Sequence, residues 1–478
     1  MKGIEKNIDM LDGQPMISSN LFKSFAQDII FDLERLFPYA ALLATESFGE
    51  RLAVQTRQQQ AELLDPVRGV VLTAFNGRYF LEAATSDLSE EGLEIISRQL
   101  KEMGKDQGIF YDGPFIDPGP KLEKDYFVSV EKYPESIPLK EKIGACTALK
   151  DRLHQKDKRI VQATGQYAHV RNQELFVNRH KVLFQDLRRT QMVAMVVMKG
   201  EERSVHLHTG QALQGGFEKA FIPEKKLDQM VKDCGKMLGA PRLQPGTYDC
   251  VFSPEFAGIF AHEAFGHGME TDMFLKKRAR GEDYLGMPVA SPLVNMFDSP
   301  ALPGQAASFF FDHEGEPARE TRIIEKGILK RGLTDLNSAT RLGLERSANG
   351  RRESFERKVY ARMTNTCFGP GEQSFEQMVG SIAEGFFLDH PSNGMEDPKG
   401  WGIQLEGYYA EEIKNGKLTG RVFTPVIITG YVPDLLQSIS MVGNSIEISG
   451  LGMCGKGHKE WVKVTDGGPY LKLKARLA

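Results

Sequence analysis

GTYDCVFSPEFAGIFAHEAFGHGMETD, residues 246–272, passes from a short β-branched and aromatic run into a segment with almost no charge. Residues 248–252 are predicted as a buried strand. Ser253 suits a helix N-cap, Pro254 the first helical turn, and Glu255 the positive end of the helix dipole. From Pro254 to Gly268 the only ionisable side chains are Glu255, His262, Glu263 and His267. A helix apolar on nearly all sides belongs in a core. At about 100° per residue, Glu263 falls in the middle of the face made by Phe256, Ile259, Phe260 and Ala264, which predicts a buried carboxylate. A buried charge left unpaired costs several kcal/mol, so Glu263 needs a cation, a proton or a metal site beside it.

His262, Glu263 and His267 form His-Glu-x-x-x-His, one residue longer than the zincin spacing that stacks two imidazoles on one helix face. On a regular α-helix this i, i+5 pair diverges by about 140°. Both rings reach one metal only if the helix widens into a π-type turn or ends between them. Gly266 and Gly268 bracket His267 and make either distortion cheap. The alternative is a pair of core histidines satisfied by carbonyls. Catalytic zinc commonly takes three protein ligands and leaves one position open. Nearby candidates for the third are Glu270 and Asp272. A remote one is Cys454, in the turn GLGMCGKG (450–457), where Lys456 would favour the thiolate; an isolated cysteine also serves as a small buried hydrophobe.

Toward the C-terminus, β-like runs dominate. Residues 321–333 carry paired Ile around a Lys326-Gly327 turn, and 403–413 and 418–429 flank Asn415-Gly416, a strong hairpin signal. Short helices are expected at 374–383 and 433–440. Toward the N-terminus, helices are predicted at 21–37, 89–103, 139–154 and 223–238. A hairpin is predicted for 69–75 and 78–84 on Asn76-Gly77, a loop at 111–124, and a β-meander over 159–207. Residues 241–246 read as a linker. The fold class is therefore α+β. A mixed α/β N-terminal domain (1–240) precedes a mainly antiparallel β catalytic domain (241–478) carrying the metal-site helix.

The 478 residues include 60 Lys and Arg against 64 Asp and Glu, a formal charge of −4. That balance excludes a nucleic-acid binder held by bulk charge. No run of about 18 apolar residues offers a membrane span, and the opening residues MKGIEKNIDM lack the apolar core of a signal peptide. Five cysteines, far apart and without a CxxC, suit a reducing compartment. The expectation is a cytoplasmic protein with neither nucleic-acid nor membrane partners.

Several further pieces stand in order along the chain: HEAFGHGMETD (262–272), FDHEGEP (311–317), ANGRRES (348–354), RMTNT (362–366), AEEIKNGK (410–417), ISMVGN (439–444) and MCGKG (453–457). With them the chain resembles the TldD branch of the TldD/PmbA family, described as modulators of DNA gyrase and as metalloproteases. The resemblance implies that His262, His267 and Cys454 bind a catalytic zinc and that Glu263 is the acid/base. It implies a peptidase acting on unfolded or extended peptides. Its partner would be a PmbA/TldE-like paralogue or, in a homodimer, a second copy. His458 is a candidate oxyanion donor, with an ordinary surface histidine as the alternative. Asn365, Thr366, Gln404 and Glu406 are candidates to line a peptide groove, with ordinary strand residues as the preferred reading. A non-enzymatic modulator with a structural or absent metal is the competing function; a structural zinc would normally have four protein ligands.

Overall fold

The computed structural model describes residues 10–11, 14–457 and 459–478. Its first half is a seven-stranded sheet. In chain order the strands are β1 (Tyr39–Gln55), β2 (Gln59–Phe75), β3 (Phe80–Thr85), β4 (Leu122–Phe127), β5 (Ile160–Asn178), β6 (Lys181–Lys199) and β7 (Ser204–Gln214). They pair in the order β3-β2-β1-β5-β6-β4, and β7 takes the remaining stretch of the β6 edge. All pairings are antiparallel except β4 with β6. Helices α1 (Asn20–Leu33) and α2 (Glu90–Gln107) supply Phe22, Ile30, Leu93 and Leu100 to a core shared with Leu42 and Leu72. Helices α3 (Leu139–Lys156) and α4 (Glu224–Met237) cover a second region around Tyr167, Val196 and Leu207.

The expected Asn76-Gly77 hairpin forms, but with a longer turn. Phe75 pairs with Phe80, which leaves four residues between the strands. The Asn76 side chain sets that turn by accepting from Arg78 N at 3.0 Å and Tyr79 N at 2.7 Å. The expected loop at 111–124 ends early, because β4 begins at Leu122.

In the second half, five strands close into a ring. Strand β8 (Gly246–Phe252) pairs with Glu384–Glu396, which pairs with Gly402–Lys414, then Val426–Tyr431, then Leu471–Leu477, which returns to β8. Only the pairing of β8 with Glu384–Glu396 is parallel. The run expected as one strand over 418–429 is two, Lys417–Phe423 and Val426–Tyr431, because Pro425 has no N–H for the ladder. A second, six-stranded sheet contains Met296–Asp298, Thr321–Glu325, Asn365–Phe368 and Thr465–Gly468. The architecture is α+β.

Helix α5 (Pro254–Ala261) leaves β8 and lies between ring and sheet. Ser253 caps it, accepting from Phe256 N at 3.2 Å. Phe256, Ala257, Phe260 and Ala261 are wholly buried. The approach to Thr465–Gly468 leaves no space for a side chain at Gly258, where a Cβ would stand 2.8 Å from Gly467 N. Gly258→Ala should therefore destabilise the fold by about 1–3 kcal/mol. It would be read as a lower urea midpoint at unchanged slope; an unchanged midpoint would contradict this packing.

Candidate metal centre

After Ala261 the helix widens into a π turn over His262–Gly266 and tightens into a 3-10 turn over His267–Met269. The His267 N–H donates to His262 O, an i→i+5 bond that brings the two imidazoles back to one face. Their ring centroids are 5.0 Å apart and nearly perpendicular. Gly266 serves this turn through space, not through dihedral freedom. Its φ is −74°, open to any residue, but a Cβ there would stand 2.1 Å from Met363 Sδ.

Cys454 reaches this face from the strand Met453–Lys456. Its Sγ lies 3.3 Å from His267 Nε2, and the donor atoms of His262, His267 and Cys454 all lie within 4.8 Å of one another. Tetrahedral zinc with ordinary Zn–N and Zn–S bonds would set such donors about 3.3–3.8 Å apart, the separation at which Cys454 and His267 already stand. His262 Nδ1 is buried with no hydrogen-bond partner. Burial works to raise the Cys454 thiol, but the His262 and His267 imidazoles outweigh it and bring it down to about 4. Burial also works against charge on both imidazoles. The thiolate reverses this at His262, and Glu270 together with the thiolate reverses it at His267. Without metal, the three groups therefore form a thiolate among imidazolium rings, a charge arrangement that a soft divalent cation would replace.

The nearer candidate ligands stand behind the site. Glu270 Oε2 is 3.2 Å from His267 Nδ1, which turns Nε2 toward the sulfur. Burial opposes the charge on Glu270, yet Lys456, His267 and Arg362 hold its carboxyl well below the usual range. Asp272 pairs with Lys456 at 2.6 Å and Lys276 at 2.9 Å. Lys456 thus serves these carboxylates and is not the cation at the thiol as the sequence suggests. The contact to sulfur comes from Arg362, whose guanidinium is 3.2 Å from Cys454 Sγ, 2.8 Å from Cys454 O and 3.4 Å from Glu270.

Glu263 departs from expectation: it is half-buried, although Ala264 and Phe265 beside it in the π turn are wholly buried. No described residue hydrogen-bonds its carboxylate. Its face is closed by Gly394, where a Cβ would stand 2.6 Å from Glu263 Cγ. Two further carboxyls face this space. Burial, with Glu263 adding to it, pushes Glu396 up to about 9 and Asp466 up to about 6, against the pull of His267 and His262 respectively. Both Glu396 oxygens are buried without hydrogen-bond partners. No sequence signal marked Glu396 or Asp466, whereas Arg362 opens the quoted RMTNT segment without a role. Asn365 and Thr366 are fully buried strand residues, and Gln404 bonds Glu406 at 2.7 Å. His458 lies outside the described residues. All five cysteines are free and buried. No helix among the described residues is long and apolar enough to cross a membrane.

Residues 245–476 match the PmbA/TldA metallopeptidase C-terminal domain. The metalloprotease MJ0996 of Methanocaldococcus jannaschii is 33% identical over 276 residues, 57% of this chain and 60% of that protein, so the likeness spans less than two thirds of the relative. A zinc metalloprotease TldD homolog of Saccharolobus solfataricus is 29% identical over 64% of this chain and 69% of its own. Among solved structures, TldE from Thermococcus kodakarensis has the same fold, with a TM-score of 0.74 at 16% identity, covering 95% of this chain and all of that one.

Proposed function

The chain belongs to the PmbA/TldD family, and from that premise we propose that it is a zinc-dependent peptidase hydrolysing bonds in unfolded or flexible peptides. The observation that carries this reading is the convergence of His262, His267 and Cys454 beside a Glu263 carboxylate left without a partner. These three residues would hold the zinc. Bound there, zinc supplies Lewis acidity toward a peptide carbonyl and acidifies water. Glu263 takes the proton of the attacking water and passes it to the leaving amine. Glu270 keeps His267 oriented, and Arg362 anchors the loop that carries the thiolate. Among the described residues the cluster has three donors, one fewer than a closed structural zinc site requires, which favours catalysis over a non-enzymatic modulator.

The peptide enters a space completed by a second chain, either a PmbA/TldE-like paralogue or another copy; a relative of this fold is a TldE. Residues 1–240 and 241–478 act as the two domains of each chain. The direct test is hydrolysis of a flexible quenched-fluorescence peptide by the full-length, zinc-loaded chain, alone and mixed with such a paralogue. Cleavage that a chelator abolishes and zinc restores supports the reading; equal cleavage after chelation contradicts it.

Proton release gives a separate check. The thiol is already ionised above about pH 4, while both imidazoles have raised values and carry protons at pH 6. Zinc must displace those protons, so its affinity should rise with pH until both imidazoles are neutral. Calorimetry at pH 6 in buffers of different ionisation enthalpy should find protons leaving the two rings and none from the thiol. No proton release at that pH would contradict the assignment.

A further inference from the structure

A cavity of about 930 Å³ lies between the face of the N-terminal sheet and the strands beside the metal centre. Its wall includes Arg189 on β6, Arg351 in the ANGRRES segment, and Lys463 at the end of Lys459–Lys463. None of the three is in an ion pair with a described residue, although pairs are common elsewhere in the chain. Arg189 donates to Ala306 O and, at 3.5 Å, to Asn172 Oδ1. Arg351, only 7% exposed, donates to Met363 O and, at 2.7 Å, to Lys463 O. The Lys463 ammonium has no hydrogen-bond partner among the described residues. All these acceptors are neutral, so three cations are collected in one wall with their charge unanswered.

The carboxylates nearest to them are already engaged or turned elsewhere. Glu174 faces Arg189 but is held by Gln185 Nε2 at 2.6 Å and His313 Nε2 at 3.4 Å. Asp298, the acid felt by Arg351, accepts from Asn349, Thr364 and Thr366. Asp466 faces Lys463 and also His262 and Glu263. Glu46 lines the same cavity with both oxygens unpartnered, but the cations it feels are Arg68 and Arg171. Burial first, and repulsion from Arg189 second, bring Arg351 down to about 9 and Lys463 down to about 7. Gathering like charges in a partly dry wall costs stability unless an anion completes it.

The wall is next to the chemistry. Lys463 pairs across the hairpin with Met453, the neighbour of Cys454, and Val462 pairs with Cys454 itself. Arg351 holds Met363, which follows Arg362 and packs against Gly266. We propose that Arg189, Arg351 and Lys463 form a carboxylate-binding subsite that takes a free C-terminus or an acidic side chain of the peptide, close in sequence to the bond that is cut. The assignment rests on the peptidase reading for its ligand and deepens it by naming a substrate class. A bidentate guanidinium and an ammonium suit a planar carboxylate, and such charge-assisted bonds are stronger than neutral ones.

The test uses the full-length, zinc-loaded chain carrying Glu263→Gln, so that peptides bind without being consumed. Three fluorescein-labelled octapeptides serve as probes: a free acid, its C-terminal amide, and that amide with Glu in the last position. Polarisation titrations should show the free acid, the Glu amide, or both binding at least about tenfold more tightly than the plain amide. Preference for the free acid identifies the terminal carboxylate as the source; preference for the Glu amide identifies the side chain. Adding Lys463→Gln, which removes no hydrogen bond, should bring the preferred probe to the level of the plain amide. Adding Arg351→Lys should weaken it in the same selective way. Equal binding of all three probes, no binding of any, or an equal loss across them in Lys463→Gln would overturn the subsite. Hydrolysis by the chain with Glu263 intact is scored separately, so discrimination without cleavage would sink the peptidase reading and spare the subsite.

Discussion

Glu263→Gln should retain its zinc and lose turnover by about 10²–10⁴-fold, the usual contribution of a positioned general acid–base. The substitution keeps size and shape, which matters where Gly394 leaves no room beside the Glu263 stem. It removes only the capacity to accept and return a proton. Glu263 is neither hydrogen-bonded nor ion-paired to a described residue, so no structural network collapses with it. The two carboxyls that share its space are poorly suited to stand in for it. Glu396 is held protonated at neutral pH by burial, and burial with Glu263 beside it lifts Asp466 to about 6, where it too is a poor match for the charged base. Steady-state rates on one flexible peptide, with zinc measured on the same sample, decide the matter. A variant that keeps its metal and most of its rate would remove Glu263 from the mechanism.

Arg362→Met should cost about 3–5 kcal/mol of stability, the range for breaking a buried charge network by removing one partner. Arg362 is 1% exposed, and its guanidinium links Cys454 Sγ, Cys454 O, Glu460 O and Glu270. Methionine fills much of the volume but leaves the Glu270 carboxylate with only Lys456 and His267 as counter-charges, and removes a donor from the Cys454 and Glu460 carbonyls. The loss therefore exceeds that of a surface arginine, for which about 0.5 kcal/mol is usual. Urea unfolding of the metal-free chain measures it without interference from zinc. A change below about 1 kcal/mol would mean that the network contributes little and that another group fixes the Cys454 loop.

The helix that carries the site was legible because its signals are local. Ser253, Pro254 and Glu255 mark its start within three positions, and the cap forms as those residues require. The π turn was legible as a condition: two imidazoles five apart share a face only if the helix widens, and it widens between them. The wheel was right for Ala264 and not for Glu263, whose half-burial is set by the distant strand around Gly394 that packs on its stem. Cys454 stands 187 positions from His267 and enters through a hairpin, so residue chemistry alone left it level with Glu270 and Asp272, and only the family resemblance singled it out. Lys456 and Arg362 show the limit of sequence proximity. The cation two residues from the cysteine turns to Asp272 and Glu270, while the one that touches sulfur comes from another strand region. Glu396 and Asp466 owe their character to burial, which depends on the packing of distant strands.

His262, His267 and Cys454 are assigned to one metal site. Zinc analysis of the purified full-length chain, with His267→Ala and Cys454→Ala prepared in parallel, tests this assignment most directly. About one zinc per chain is expected in the parent and loss of most of it in each variant, with the folded far-UV circular dichroism signal retained in all three. A parent chain that takes up no zinc after reconstitution, or variants that keep it, would contradict the assignment.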